Sequence, residues 1–199
     1  MVNPGSRTEA GDPLAVETID AATGIFMSGG SQLRLSQIFA GTPLGEAIHR
    51  AHRRGAVIGG TSAGASIMSE FMIALGDEGV TPRQRTSQMS QGLGLLEGVV
   101  IDQHFAQRQR HGRLMSVIAM SPNLIGIGID ENTALEVVDG VRATVYGRGG
   151  VYILDCRAAI TDGIMPCSAI DTIMAFSSAF STSLGRRPVT SRKNSAATS

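Results

Sequence analysis

Apolar and polar positions alternate in short blocks along the chain. Leu14–Ala22 is amphipathic, with Asp12 placed to cap it and Pro13 at the first helical position, which predicts a helix after the polar loop Met1–Pro13. Gly24–Ser28 is a short apolar run ending in Gly29-Gly30, and it reads as a strand. Thr42 caps and Pro43 opens a second helix. Gly55 closes it after the basic run His49–Arg54, which suits a helix C-terminus. Ala56–Gly59 is another short strand, and Ala63–Leu75 is mostly apolar and helical in tendency. The polar, Gln/Ser/Gly-containing stretch Gly76–Gly94 reads as a mobile loop. Val99–Asp102 is strand-like, Arg108–Met120 helical up to Ser121-Pro122, and Leu124–Ile129 and Ala134–Val138 are strands. Val141–Tyr146 and Val151–Leu154 flank Gly147-Arg148-Gly149-Gly150, a hairpin signal. After Ala159 the periodicity fades.

Short strands alternating with helices predict an α/β fold, with a mostly parallel sheet covered on both faces and an antiparallel hairpin late in the chain. The chain has 199 residues, 42% of them apolar, enough for one core, so residues 1–185 read as one domain. Residues 186–199 read as a disordered tail, with Arg186, Arg187, Arg192 and Lys193 and no acid. Seventeen basic and seventeen acidic residues give no net charge, hence no global attraction to nucleic acid or to a membrane surface. Cys156 and Cys167 form neither a disulfide framework nor a zinc spacing. No run approaches the ~18 apolar residues of a membrane span. The N-terminus lacks the apolar core of a signal peptide. These features together point to a soluble protein of the reducing cytoplasm.

Gly60-Thr61-Ser62-Ala63-Gly64 is a G-x-S-x-G motif between an expected strand and an expected helix. A sharp strand-to-helix turn there would present the Ser62 hydroxyl at the carboxyl end of the sheet, with helix N-terminal N–H groups such as that of Ala63 facing a developing oxyanion. The same string also suits a glycine-rich packing turn. A serine nucleophile needs a base, and His104 follows a strand as Ser62 does. His49 and His52 belong to the basic end of a helix, and His111 is expected to face outward. Asp130 or Glu131, at a third strand end, would orient the base. Around His104, Arg108, Arg110 and Arg113 are either a solvated face in an arginine-biased chain or a clamp for an anionic substrate.

Four blocks in order resemble cyanophycinase, a serine peptidase family related to aspartyl dipeptidase (peptidase E), on a fold similar to class I glutamine amidotransferases. They are Phe26–Leu35, Gly59–Ala65, Ile101–Phe105 with Arg108, Arg110 and Gly112-Arg113-Leu114, and Gly128–Ala134. The resemblance runs from about Asp12 to about Leu154. It implies a flavodoxin-like three-layer sandwich, with Ser62 as nucleophile, His104 as general base and Glu131, rather than Asp130, as orienting acid. It further implies an oxyanion hole at Gly30 and Ala63, and a substrate pocket of Gln32, Asp102, Gln103, Arg108, Arg110 and Arg113. The implied substrate is cyanophycin, a polyaspartate with arginine on each β-carboxyl, cut to β-aspartyl-arginine dipeptides. No metal or cofactor is implied, and a homodimer is compatible with the resemblance. Another aspartyl-peptide hydrolase and a non-catalytic remnant are the alternatives.

The chain departs from the family pattern in three places. Ser31 stands where the family usually has an acid after Gly-Gly. The family's opening strands have no counterpart before Asp12, so the chain reads as N-terminally truncated. Beyond Ala159 it no longer reads like the family's closing strands. The strand Gly24–Ser28 should therefore lie at or near an edge, exposing Ile25, Phe26 and Met27, in a chain of marginal stability that self-associates or aggregates and has low or absent activity.

Overall fold

A computed structural model describes residues 1–83, 87–157, 173–177 and 181–183. A 3₁₀ turn, Glu9–Gly11, interrupts the expected N-terminal loop. Three capped helices follow: α1 (Pro13–Asp20), α2 (Gln32–Phe39) and α3 (Pro43–Arg53). Asp12 Oδ1 accepts from the Leu14 N–H at 3.0 Å, and Thr42 Oγ1 from the Gly45 N–H at 3.3 Å. These bonds satisfy N–H groups that a helix start leaves unpaired. Helix α2 was not foreseen. Its cap is Ser31, the residue that departs from the family pattern, whose hydroxyl accepts from the Arg34 N–H.

Strands β1 (Gly24–Met27) and β2 (Val57–Gly60) pair in parallel as a two-stranded sheet. The short helix α4 (Ala63–Ser66) leads into β3 (Ser69–Gly76), β4 (Ser87–Gln91) and β5 (Leu96–Gln103). Helix α5 (His111–Met120) follows, then β6 (Ile125–Ile129), β7 (Thr133–Val138), β8 (Arg142–Gly147) and β9 (Gly150–Asp155). Strands β10 (Ile173–Ser177) and β11 (Ser181–Ser183) complete the described elements. A six-stranded sheet runs in the order β10-β9-β6-β5-β3-β4, and β11-β8-β7 form an antiparallel three-stranded sheet. Parallel pairing in the large sheet is confined to its centre, β3-β5-β6, with β4, β9 and β10 added antiparallel.

The alternation of β5 builds the layers. Val99 and Ile101 point to one face, where Ile127, Ile153, Ala143 and Val145 place the β7–β8 hairpin against the sheet. Val100 points to the other, packing with Leu114, Val117 and Ile118 of α5. On that face β6 carries glycine. A Cβ at Gly126 would lie 2.8 Å from Ile118, and one at Gly128 2.5 Å from the Phe105 ring, so the missing side chains let α5 and Phe105 approach. The α/β class with a sheet flanked by other layers is the one expected, although one flanking layer is a hairpin.

Four expectations are corrected. The apolar run Ala63–Leu75 is one helical turn and then a strand, an ambiguity that periodicity does not resolve in short apolar runs. Gly76–Gly94 contains β4, antiparallel to β3. The helix expected from Arg108 begins at His111, because Gln109 has φ 51°, which breaks a right-handed helix. The hairpin is β7–β8, turned by Asp139 and Gly140 at φ 56° and 65°. The turn between β8 and β9 instead carries the chain from one sheet to the other.

Phe26 and Val57 stand on the outer face of the two-stranded sheet, 71% and 75% exposed. Met27 is buried and Ile25 half-buried, both packed with Ile58, Ile48 of α3 and Ile67, so strand alternation exposes only part of β1. Among the described residues no helix is long and apolar enough to cross a membrane. Cys156 is buried. The basic tail and Cys167 lie outside the described residues.

Candidate active site

Ser62 sits between β2 and α4 at φ 55°, ψ −120°. A non-glycine residue held there stores strain, of order 1–3 kcal/mol, and persists only where its surroundings enforce it. They do so through glycines. A Cβ at Gly60 would collide with the carbonyl of Gly64, and one at Gly64 with the carbonyls of Met27 and Ser28. The Thr61 N–H donates to the Met27 carbonyl at 3.0 Å, tying the elbow to the end of β1. Gly29 faces Ser62, its Cβ direction ending 3.2 Å from the Ser62 Cβ. Gly30 follows at φ 131°, a conformation that favours glycine. Ala63 opens α4, so its N–H is among those a helix start leaves without an internal acceptor. Of the two expected oxyanion donors, Ala63 directly follows the serine in the chain, and Gly30 directly follows the glycine that faces it.

His104 follows the end of β5 at φ 49°. Its Nε2 is 3.0 Å from Ser62 Oγ, and its Nδ1 is 2.8 Å from Glu131 Oε1. With the ring proton on Nδ1 and donated to Glu131, Nε2 is free to accept from the Ser62 hydroxyl. Ser62 and His104 are half-buried and Glu131 is exposed, leaving the reacting edge open to a ligand. The choice between Asp130 and Glu131 has a plain cause. Asp130 is buried, and its Oδ1 and Oδ2 accept from the N–H groups of Ala106 and Gly150, each at 2.9 Å. Glu131 is the carboxylate that reaches His104.

His111 does not face outward as expected. Its ring packs against Phe105 and Tyr152, at centroid distances of 4.5 and 5.2 Å, because Phe105 fills the space above Gly128. Burial and the nearby Asp130 charge push the Tyr152 hydroxyl pKa up. His52 is exposed and His49 half-buried on α3.

The charged residues around β5 divide by burial. Asp102, 1% exposed, receives both Arg113 Nε, at 2.7 Å, and Arg113 Nη2. The Gln103 N–H also donates to it at 2.9 Å. Arg110 Nη1 donates to the Gln103 carbonyl and side-chain oxygens at 2.7 and 3.0 Å. Burial, and then the charge of Arg113, hold the Arg110 guanidinium below the usual arginine range. Gln32 Nε2 donates to the Ile73 carbonyl at 2.7 Å, tying α2 to β3. Arg108 is 52% exposed, with Glu78 at 3.8 Å. Sequence reasoning grouped these six residues. The structure ties Gln32, Asp102, Gln103, Arg110 and Arg113 into internal bonds and leaves the Arg108 side chain half exposed beside Glu78. It also adds Glu78, which lies 3.5 Å from Arg110 Nη2 and sits in a stretch read only as loop. Among the described residues no cluster of three or more His, Cys, Asp or Glu is placed to hold a metal.

Comparison with known proteins shows the family. The model of Peptidase family S51 matches residues 8–145. A cyanophycinase of Geminocystis herdmanii (strain PCC 6308) is 42% identical over 153 residues, covering 76% of this chain and 56% of the relative. A cyanophycinase of Synechococcus elongatus is 43% identical over 155 residues, covering 77% and 48%. The crystal structure of a peptidase from an acI-B1 actinobacterium superposes with a TM-score of 0.62 at 27% identity, over 89% of this chain and 66% of that one. The chain spans about half the length of the curated relatives it matches. With the family pattern running through the elbow, the histidine strand end and the acidic turn, this chain belongs to peptidase family S51.

Proposed function

We propose that the chain carries a serine-hydrolase site of the cyanophycinase type, with Ser62 as nucleophile, His104 as base and Glu131 as orienting acid. The observation that supports it most is the continuous relay from Ser62 Oγ through the His104 ring to Glu131, at 3.0 and 2.8 Å. Ser62 Oγ attacks the scissile carbonyl carbon while its proton passes to His104 Nε2. The N–H groups of Ala63 and Gly30 take the negative charge on the carbonyl oxygen. Collapse breaks the C–N bond, and the proton on Nε2 goes to the leaving amine. Water, deprotonated by the same nitrogen, then attacks the Ser62 ester and releases the new carboxylate. Glu131 keeps the imidazole in the tautomer this needs and stabilises its cation.

The substrate is cyanophycin and the product β-aspartyl-arginine. The identity to cyanophycinases supports this reading over a plain aspartyl dipeptidase. To Arg108, whose side chain is 52% exposed, we assign the contact with substrate carboxylates. The test is incubation of the purified chain with cyanophycin. Soluble β-aspartyl-arginine from the parental chain and none from Ser62→Ala is the expected result. Equal release from both would refute the assignment.

A further inference from the structure

Resting on that serine-hydrolase reading, we infer that Asp130 is a positioning residue. Its buried carboxylate ties together the loops that carry His104 and Glu131 and so sets the geometry of the relay. Three separate segments meet on it. Ala106, two residues after His104, donates its N–H to Oδ1, and Gly150, at the start of β9, donates to Oδ2. Asp130 itself immediately precedes Glu131. The bonds around it run the same way. Phe105 N–H donates to the Ile129 carbonyl at 3.1 Å, and Asp130 N–H to the Gly150 carbonyl at 3.1 Å. Glu131 N–H donates to Gln107 Oε1 at 3.1 Å, closing the His104 loop onto the Glu131 loop from the outside.

The turn between β8 and β9 packs close against this residue: a Cβ at Gly149 would lie 2.7 Å from the Asp130 Cβ, an approach that glycine allows. The His104 and Glu131 side chains are themselves 28% and 47% exposed, so burial holds them only in part. Their alignment therefore depends on the backbone beneath them, and Asp130 links both pieces of that backbone. A carboxylate accepts at both oxygens. An amide of the same shape accepts at one and must point an NH₂ group at the other donor. Asp130→Asn thus loses one of the two ties at constant volume.

The experiment compares the parental chain, Asp130→Asn and Ser62→Ala. Turnover of cyanophycin is read together with the far-downfield proton resonance of the His104 Nδ1–H bonded to Glu131. Asp130→Asn should lose about 10–100-fold in kcat, with KM within about threefold, as small misplacements of reacting groups do. Its His104 resonance should weaken or move upfield while thermal melting stays cooperative. Parental kcat and an unchanged His104 resonance in Asp130→Asn, with Ser62→Ala inactive, would overturn the inference and leave the serine reading intact. Parental turnover in Ser62→Ala would instead remove the serine reading itself. Should Asp130→Asn fail to fold, amide exchange in the parental chain decides: slow exchange at Ala106 and Gly150 is expected, and fast exchange at both would overturn the inference.

Discussion

Asp102 and His104 stand two residues apart at the end of β5, yet they enter two different kinds of cluster. Asp102 turns under α5 and is closed in by Arg113, Arg110 and Gln103. His104 lies beyond the strand end on a left-handed backbone and meets Ser62 and Glu131 in partial contact with solvent. Both clusters are charged and hydrogen-bonded, and they differ in access. A buried ion pair is costly to break because the remaining charge has no water to turn to. An open pair can take the Ser62 proton at His104 Nε2 and hand it from the same nitrogen to a ligand, while Nδ1 stays bonded to Glu131. The difference separates residues that hold the site from residues that can act in it, a distinction the spacing of the arginines does not contain.

The largest effect should come from the open cluster. Ser62→Ala and His104→Ala should each lower cyanophycin turnover by several orders of magnitude while leaving the urea midpoint close to parental. A parental rate in either variant breaks the comparison. The closed cluster should behave in the opposite way. Arg113→Ala leaves Asp102 charged and buried, and urea titration should show a loss of about 3–5 kcal/mol. A loss below about 1 kcal/mol would mean that water reaches Asp102 and that the cluster is not closed.

The elbow joins the two behaviours in one residue. Ser62→Gly should abolish turnover yet raise stability by about 1 kcal/mol, because glycine accepts φ 55° without strain. An unchanged or lower urea midpoint would show that the elbow stores no strain. The smallest effect on stability belongs to Arg108→Ala. With its side chain 52% exposed and only an exposed ion pair to Glu78 at 3.8 Å, it should move stability by no more than about 0.5 kcal/mol. KM for cyanophycin should rise with kcat little changed. A fall in kcat with unchanged KM would place Arg108 in the chemistry rather than in binding.

The parts of this site that were legible in the sequence are those fixed by local chemistry. Gly60 and Gly64 announce a turn too tight for side chains, and the four capped or glycine-marked blocks announce their order. His104 was identifiable because it follows a strand, as Ser62 does. Asp130 and Glu131 were not separable from the residues alone, because both follow the same strand and only the backbone N–H groups of Ala106 and Gly150 decide between them. The roles of Asp102 and Arg113 were hidden for a related reason. Their pairing depends on α5 crossing the face of β5, a tertiary fact that periodicity does not carry. The helix read over Ala63–Leu75 shows the same limit, since β3 is defined by its neighbours β4 and β5 rather than by its own pattern. Helix α2 was missed although its signals were present: Ser31 as cap, then Leu33, Leu35, Ile38 and Phe39.

On the proposed reading, Ser62 of this chain is a nucleophile activated by His104. Reaction with a fluorophosphonate, followed by peptide mass spectrometry, tests it without any assumption about substrate. A single adduct on the peptide containing Ser62, formed in the parental chain and suppressed in His104→Ala, is the predicted result. No adduct at Ser62, or labelling at the same rate in His104→Ala, would contradict it.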